Sequence, residues 1–449
     1  MTRWKPISPS LEVAAETPPT IPQGLSLKKN FSWTLAGNVV YAGCQWGMLV
    51  VLAKLGTPEM VGQFALGLAI TAPIFMFSNL QLRAVQATDA RREYLFGHYL
   101  GLRLITTIFA FVLITVITFF SKYHWETTMV ILAVGLAKVF QSVSDVCFGL
   151  LQQHERMDRI AISMMIKGPF SVVMLGVGVW LTGSVFWGAL GLALAWAIIL
   201  TSYDIRSAAL VLGLSSVKTG HFKLQPIWDH RRLSSLVWLS LPLGLSMMMI
   251  TLNTNIPRYF IHHYLGEREL GLFAAMAYLM VAGGMVVGAL GQSASPRLAK
   301  HAGVGSASAF RTLMWKLLGL GCFLGLGGLI VVLAAGKEIL TIVYRPEYAE
   351  QVDVLFWLML VAAVNYMASF LGYGMTALRY FRIQIPLFTL VSGTTAFLCF
   401  LLLPDNGLKG AAQALLVAAL VQLGLTAITV WYGLQRAGRI LKSPEVPNA

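Results

Sequence analysis

Between about Asn30 and about Leu434 the chain alternates long apolar runs with short polar breaks, and the runs number twelve. Each is about 18 to 24 residues long, enough for a helix to cross a hydrocarbon layer roughly 30 Å thick. Strict alternation of apolar and polar residues over ten-residue segments, the mark of a membrane barrel, is absent. Lipid offers the backbone no hydrogen-bond partner, so runs of this length are helices. The pattern predicts an all-α polytopic membrane protein with spans near 30–52, 61–82, 100–120, 129–151, 160–181, 187–209, 236–257, 271–294, 313–335, 354–378, 385–403 and 411–434. Residues 1–29 carry Pro18, Pro19 and Pro22 among polar neighbours, with no small-residue cleavage motif. They read as a disordered tail and not as a signal peptide.

Composition points the same way: with 57% hydrophobic and 12% charged residues and a mean hydropathy of +0.71, the chain cannot form a water-soluble globule. A net charge of +14 would elsewhere suggest nucleic acid, but here the basic residues follow the loops. Of the 33 Lys and Arg residues, 25 fall on one side of the predicted spans, among them Lys28, Arg83, Arg91, Arg103, Lys167, Lys218, Arg232, Arg297, Arg379 and Lys442. Seven fall on the other side, and Lys138 stands within a span. Lys and Arg are retained on the cytoplasmic side, so both termini are expected on that side of the membrane. The charge excess then reads as topology signal and contact with anionic membrane lipids, and no nucleic-acid partner is expected. Cys44, Cys147, Cys322 and Cys399 each lie within a span without CxxC spacing. They read as small apolar packers, and neither a thiolate metal site nor a cofactor is implied.

The chain also repeats itself. LGTPEMVGQFALGLAI begins at Leu55 and LGERELGLFAAMAYL at Leu265, each bridging a first and a second span. Spans one to six and seven to twelve are therefore expected to be copies of one unit. Six is even, so both copies enter the membrane in the same direction, which implies a pseudo-two-fold along the membrane normal and a site between the halves. The expected organisation is a tail at 1–29, a six-helix lobe at 30–209, a cytoplasmic linker with a short interfacial helix at 210–235, a second six-helix lobe at 236–434 and a tail at 435–449. A recurrent turn chemistry is the competing explanation of the shared LG-x-x-E start.

Catalytic chemistry is hard to place. The largest loop on the less basic side, about Gly336 to Asp353, has no room for a catalytic domain, and Ser/His/Asp sets, His/Glu metal clusters and phosphate-cradling loops are represented only by scattered members. Adjacent His262 and His263 do not share a helix face. Gly284 with Gly288, and Gly321 with Gly325, have the small-xxx-small spacing of close helix packing. What remains is the charges and amides inside the spans, which cost several kcal/mol there and are seldom idle.

Lys138, Gln141 and Asp145 form one stripe of the fourth span. Lys138 reads either as a phosphate or anion contact in a wet cavity or as a cap on a neighbouring carbonyl. Asp145 reads either as a proton or cation relay or as half of a buried ion pair with Lys167, since both residues stand eleven positions from the hairpin midpoint at Arg156. The seventh span offers Pro242, Asn253, Asn255, Pro257 and Arg258. Proline frees carbonyls and bends the helix, and the Asn side chains can satisfy what it frees. Arg258 can bind a diphosphate bidentately or anchor the outer end of its span. Arg83 and Arg297 occupy comparable ends of the two repeats, and Pro73 breaks span two as Pro242 breaks span seven.

The stretches LGTPEMVGQFALGLAITAPIFMFSNLQLR, PLGLSMMMITLNTNIPRYFIHHYLGERELGLFAAMAYL and IVYRPEYAEQVDVLFWLML resemble bacterial O-antigen or exopolysaccharide repeat-unit flippases. Those belong to the multidrug/oligosaccharidyl-lipid/polysaccharide exporter superfamily. The resemblance implies two six-helix lobes forming a V, alternating access and no enzymatic activity. Its substrate would be a polyprenyl-diphosphate-linked oligosaccharide for surface polysaccharide synthesis, with other polysaccharide assembly proteins as further partners. It also implies cavity cations that meet the diphosphate, for which Lys138, Arg258 and Arg83 are nominated, with Arg297, Asn253 and Asn255 as further binding residues and Asp145 and Lys167 as a coupling or ion-pair set. A drug or cation antiporter of the same superfamily would need unpaired cavity carboxylates, and Asp145 reads as the only carboxylate well inside a span. A membrane polymerase would need the long outer loop or acidic metal site that the chain lacks.

Overall fold

A computed structural model describes residues 26–89, 92–213, 224–303, 306–378, 380 and 383–440. Both expected tails, apart from residues 26–29 and 435–440, lie outside these residues, as do Arg91, Lys218, Lys223, Arg379, Arg382 and Lys442 and the centre of the expected linker. Every regular element among the described residues is a helix. The order is α1 Leu27–Leu55, α2 Pro58–Ser78, α3 Leu82–Thr88, α4 Phe96–Phe120, α5 Trp125–Gln153, α6 Met157–Thr182, α7 Val185–Ile199, a π-helical turn Leu200–Asp204, α8 Ile205–Val211, α9 His230–Leu265, α10 Glu267–Gly303, α11 Ala307–Val343, α12 Pro346–Ala349, α13 Val352–Ala377 and α14 Gln384–Ile440.

Twelve crossings result from eleven long apolar helices because α14 is two spans. Its 57 residues would reach about 85 Å at 1.5 Å per residue, more than twice the hydrocarbon thickness. The chain reverses at Gly407, whose φ of 55° and ψ of −138° suit only a residue without a Cβ. Local chemistry ends the other helices where the sequence changes character. Gly56 closes α1 and Pro58 opens α2 at its first turn. Asp229 caps α9 by accepting from the Arg232 and Arg231 backbone N–H groups, which hold its carboxyl below the usual carboxylate range.

Below, the face on which α1 begins is called basal and the opposite face apical. Exposed aromatic side chains form a belt near each: Trp125, Trp180, Trp187 and Phe120 apically, and Trp33, Trp238, Trp315 and Trp431 basally. Such rings sit at membrane–water interfaces. Large apolar residues between the belts, such as Ile108, Val173, Phe323 and Ile330, point outward, as lipid requires.

The helices form two lobes of six spans with matching neighbours. In the first, α2 and α4 pack on α5, and α6 packs on α1 and α7; in the second, α10 and α11 pack on α13, which packs on α14, which covers α9. Gly321 and Gly325 give α11 its close approach to α13, since a Cβ at Gly325 would lie 2.4 Å from that of Ala363. Gly284 and Gly288, expected to do the same for α10, are open. Gly283 and Gly291 do the work instead, against the rings of Tyr366 and Tyr373, whose hydroxyls donate to Met280 and Gly288 carbonyls.

The lobes meet apically. The two copies of the repeat face each other there: a Cβ on Gly62 would lie 1.8 Å from the Glu267 carbonyl oxygen, and one on Gly271 would lie 1.9 Å from that of Pro58. Polar contacts reinforce the seam. The Glu267 carboxylate accepts from Gln63 Nε2 at 2.9 Å and from Thr127 Oγ1. The Tyr344 hydroxyl accepts from Trp46 Nε1 at 3.0 Å and donates to the Ala275 carbonyl at 2.8 Å. Tyr259 reaches the Ala69 carbonyl at 2.5 Å. Along α10, Leu270 to Met276 are all buried, whereas from Val281 onward only a stripe of Val287, Gly291, Ala294 and Leu298 is. The second lobe thus closes on the first at the apical end, and α10 stands clear of it toward the base. On the basal side α9 stays docked on the first lobe, through Leu233 and Leu236 against Leu80, Leu82 and Tyr99 and through Arg232 to the Glu93 carbonyl at 2.7 Å.

Candidate functional site

Beneath the apical seam lies a cavity of about 660 Å³ walled by α2, α3, α5 and α10. Helical periodicity on α5 delivers Lys138, Gln141, Ser142, Asp145 and Gln152 to it, α2 adds Asn79, and Gln292 closes it from the second lobe. Leu80 and Gln81 both adopt left-handed φ, 50° and 52°. This tight turn lays α3 against α5 and brings Gln81 and Arg83 into the wall. Non-glycine residues hold such a conformation at a cost of order 1–3 kcal/mol, and they concentrate at functional sites.

The cavity is polar and positively biased. Lys138 Nζ donates to Gln141 Oε1 at 2.8 Å and stands 5.4 Å from the centre of the Trp196 ring. Gln141 in turn donates to the Tyr41 hydroxyl at 3.5 Å. Arg83 donates through Nε to Gln152 Oε1 at 3.0 Å, covers the Phe148 ring and lies 3.7 Å from Asp145 Oδ1. Arg103 Nη2 holds the other oxygen, Oδ2, at 3.0 Å and uses Nη1 on Asn79 Oδ1, which also accepts from Ser142.

Asp145 is therefore paired with Arg103 and Arg83, and the expected Asp145–Lys167 pair does not form. Lys167 Nζ instead lies 3.1 Å from Asp204 Oδ2 and donates to Ser144 Oγ at 2.9 Å. Ser144 and Ser163 donate to the same carboxylate at 2.7 and 2.5 Å. Matched depth along the hairpin was the wrong criterion. Successive helix positions turn by about 100°, so Ser144 faces α6 while Asp145 faces the cavity. Asp204 lies within the expected sixth span, and the chain continues there as helix through the π-helical turn to Val211, which keeps its carboxylate inside the first lobe. Asp145 is accordingly not the only carboxylate well inside a span, and of the two it is Asp204 that is buried. Arg103 and Lys167, counted with the basal loop charges, are buried in the bundle at 0% and 3% side-chain exposure; without them the basal excess persists.

The remaining nominated residues lie outside this cavity. Asn253 accepts from Thr395 Oγ1 at 3.2 Å, tying α9 to α14. Asn255 donates to the Thr251 carbonyl at 2.8 Å and accepts from Arg258 Nη1 at 3.0 Å, which ties the half-buried guanidinium to the preceding turn of α9. Arg297 is exposed on the basal half of α10 and makes no ion pair among the described residues. His262 meets the Tyr123 ring edge-on while His263 packs on Tyr264. Among the described residues no three His, Cys, Asp or Glu side chains are grouped as a metal site would be.

Two six-helix lobes sealed at one face, with a cation-bearing cavity between them, define a transporter-type membrane fold. Solved structures agree on that fold. A Lipid II flippase MurJ in an inward closed conformation superposes with a TM-score of 0.68 at 12% identity, covering 91% of this chain and 90% of that one. An inward-facing multidrug resistance MATE family transporter of the MOP superfamily gives 0.57 at 14% identity, covering 94% and 97%. The sequence narrows the class: residues 27–302 match the family profile described as polysaccharide biosynthesis protein, and the chain belongs to that family. The capsular polysaccharide biosynthesis protein CapF of Staphylococcus aureus is 29% identical over 398 residues, 88% of this chain and 97% of the relative.

Proposed function

We propose that the protein is a flippase that carries polyprenyl-diphosphate-linked oligosaccharide repeat units across the bacterial inner membrane for surface polysaccharide synthesis. The observation that carries this reading is the cavity itself, with Arg83 and Lys138 set among amides between two lobes. A lipid-linked anion needs a basic, hydrated cleft reached from the side, and the amides suit a sugar's hydroxyl groups. The basal face carries most of the Lys and Arg residues, so it is taken as cytoplasmic with both termini on that side. The apical seal then closes the periplasmic exit, and the cavity accepts the headgroup from the inner leaflet. Rocking of the lobes would open the seam and release it outward. Arg297 on the basal half of α10 is assigned to entry. Arg258, supported by Asn255 and the Asn253–Thr395 bond, is assigned to the exit path once the lobes have rocked.

The same fold serves multidrug transporters, but a cation carrier needs a free cavity carboxylate. Asp145 is engaged by two arginines. The test is transbilayer movement of a fluorescent polyprenyl-diphosphate sugar in vesicles containing the purified protein. Movement dependent on the protein is expected. Its absence, with export of a lipophilic cation instead, would favour the antiporter.

A further inference from the structure

The two arginines that share Asp145 hold it unequally. Arg103 is fully buried, at 0% side-chain exposure, and grips Oδ2 at 3.0 Å; Arg83 is about one-third exposed to the cavity and stands 3.7 Å from Oδ1, beyond hydrogen-bond range. A buried guanidinium stripped of its carboxylate is strongly disfavoured, so Asp145 cannot leave Arg103. Arg83 has no such constraint: among the described residues its one side-chain hydrogen bond is the neutral Nε contact to Gln152, which leaves the ends of its fork to an incoming anion.

We propose that Asp145 is a fixed internal counter-ion, anchored by Arg103, which holds Arg83 in the empty cavity and yields it to the substrate diphosphate. The role rests on the flippase reading above and deepens it. Arg83, Arg103 and Lys138 contribute three positive charges and Asp145 one negative, leaving the cluster two positive charges in excess. A diphosphate esterified at both ends carries one negative charge on each phosphate and matches that excess; a monophosphate diester does not. Asp145 is also the group that limits retention. Once Arg83 has turned to the ligand, the carboxylate still faces the diphosphate across the cavity wall and repels it. The residue thus selects for a doubly charged headgroup and prevents it from binding too tightly to be released.

The experiment compares farnesyl-diphosphate-N-acetylglucosamine with farnesyl-phosphate-N-acetylglucosamine, by calorimetric binding to the protein in nanodiscs and by flipping in vesicles. The wild type is expected to bind the diphosphate at least tenfold more tightly than the monophosphate. Asp145→Asn is expected to bind the diphosphate about tenfold more tightly than the wild type while its saturated flipping rate falls by about tenfold, and Asp145→Glu to restore both. A carboxylate that only braces Arg103 predicts the reverse, weaker binding with a parallel loss of rate. Equal or weaker diphosphate binding by a folded Asp145→Asn chain overturns the proposal, as does a wild type that binds both lipids alike. Asp145→Asn combined with Arg103→Gln, which removes the buried guanidinium together with its carboxylate, reads the same sign should the single variant not fold. A wild type that binds neither lipid overturns the flippase reading and this role with it, whereas binding without tightening in the variants removes the role alone.

Discussion

Gly62→Ala tests the apical seam most directly, because the added methyl would meet backbone and not a side chain that could turn aside. An ideal Cβ there lies 1.8 Å from the Glu267 carbonyl oxygen and 2.7 Å from its carbon. Carbon and oxygen settle no closer than about 3.3 Å even in favourable contacts. The lobes must therefore part by about 1.5 Å at this point. That movement takes the Gln63–Glu267 bond, now 2.9 Å, and the Tyr259–Ala69 bond, now 2.5 Å, past the range in which hydrogen bonds hold. The first is to a carboxylate and counts for about 1.5–3 kcal/mol, the second for about 0.5–1.5 kcal/mol. With Glu267 only half-buried, about 3 kcal/mol is a fair total, a shift of roughly 100-fold toward the apically open state. The assay is the rate at which Ala69→Cys, at a position now fully buried, reacts with a membrane-impermeant maleimide added on the apical side. Gly271→Ala should raise that rate equally, because its Cβ would lie 1.9 Å from the Pro58 carbonyl oxygen. The double variant should do little more than either alone, since one displacement relieves both clashes. Wild-type labelling by a stably inserted Gly62→Ala chain would refute the seam as the closed gate.

Lys138→Met should abolish flipping while membrane insertion and thermal midpoint stay unchanged; normal transport would remove Lys138 from the site. Lys167→Met leaves Asp204 buried without its cation and should cost about 3–5 kcal/mol, read as a lowered unfolding midpoint in detergent, with much of the loss recovered on adding Asp204→Asn. Gly407→Ala forces a Cβ into a conformation that only glycine holds easily, and about 1–3 kcal/mol of destabilisation is expected in the same melt. An unchanged midpoint would show that the turn between the last two spans does not need its present backbone geometry.

What the sequence made legible, and what it hid, divides along one physical line. Periodicity within a helix is a local property, so the stripe of Lys138, Gln141 and Asp145 could be read from spacing alone, and all three line the cavity. The partners of a buried charge depend on how neighbouring helices are rotated about their axes, and spacing along one chain carries no such information. Asp145 and Lys167 were matched by depth, yet a single-residue turn of α5 gives Lys167 to Ser144 and Asp204 and turns Asp145 toward Arg103. Arg103 lies within the third apolar run, yet a lone Arg near a span end resembles an anchor, and sequence alone groups it with the loop charges. Its one available signal was Asn79, a polar residue near the basal end of the preceding span and able to accept from a guanidinium. The internal repeat shows the same limit from the other side. Its two copies were visible as text, and duplication correctly implied lobes entering the membrane in parallel. That the glycines of those copies touch each other across the pseudo-axis follows only once both lobes are in place. A symmetric pair of turns meets itself on the axis of symmetry, and the apical seam, where Gly62 and Gly271 approach each other's backbone, lies there.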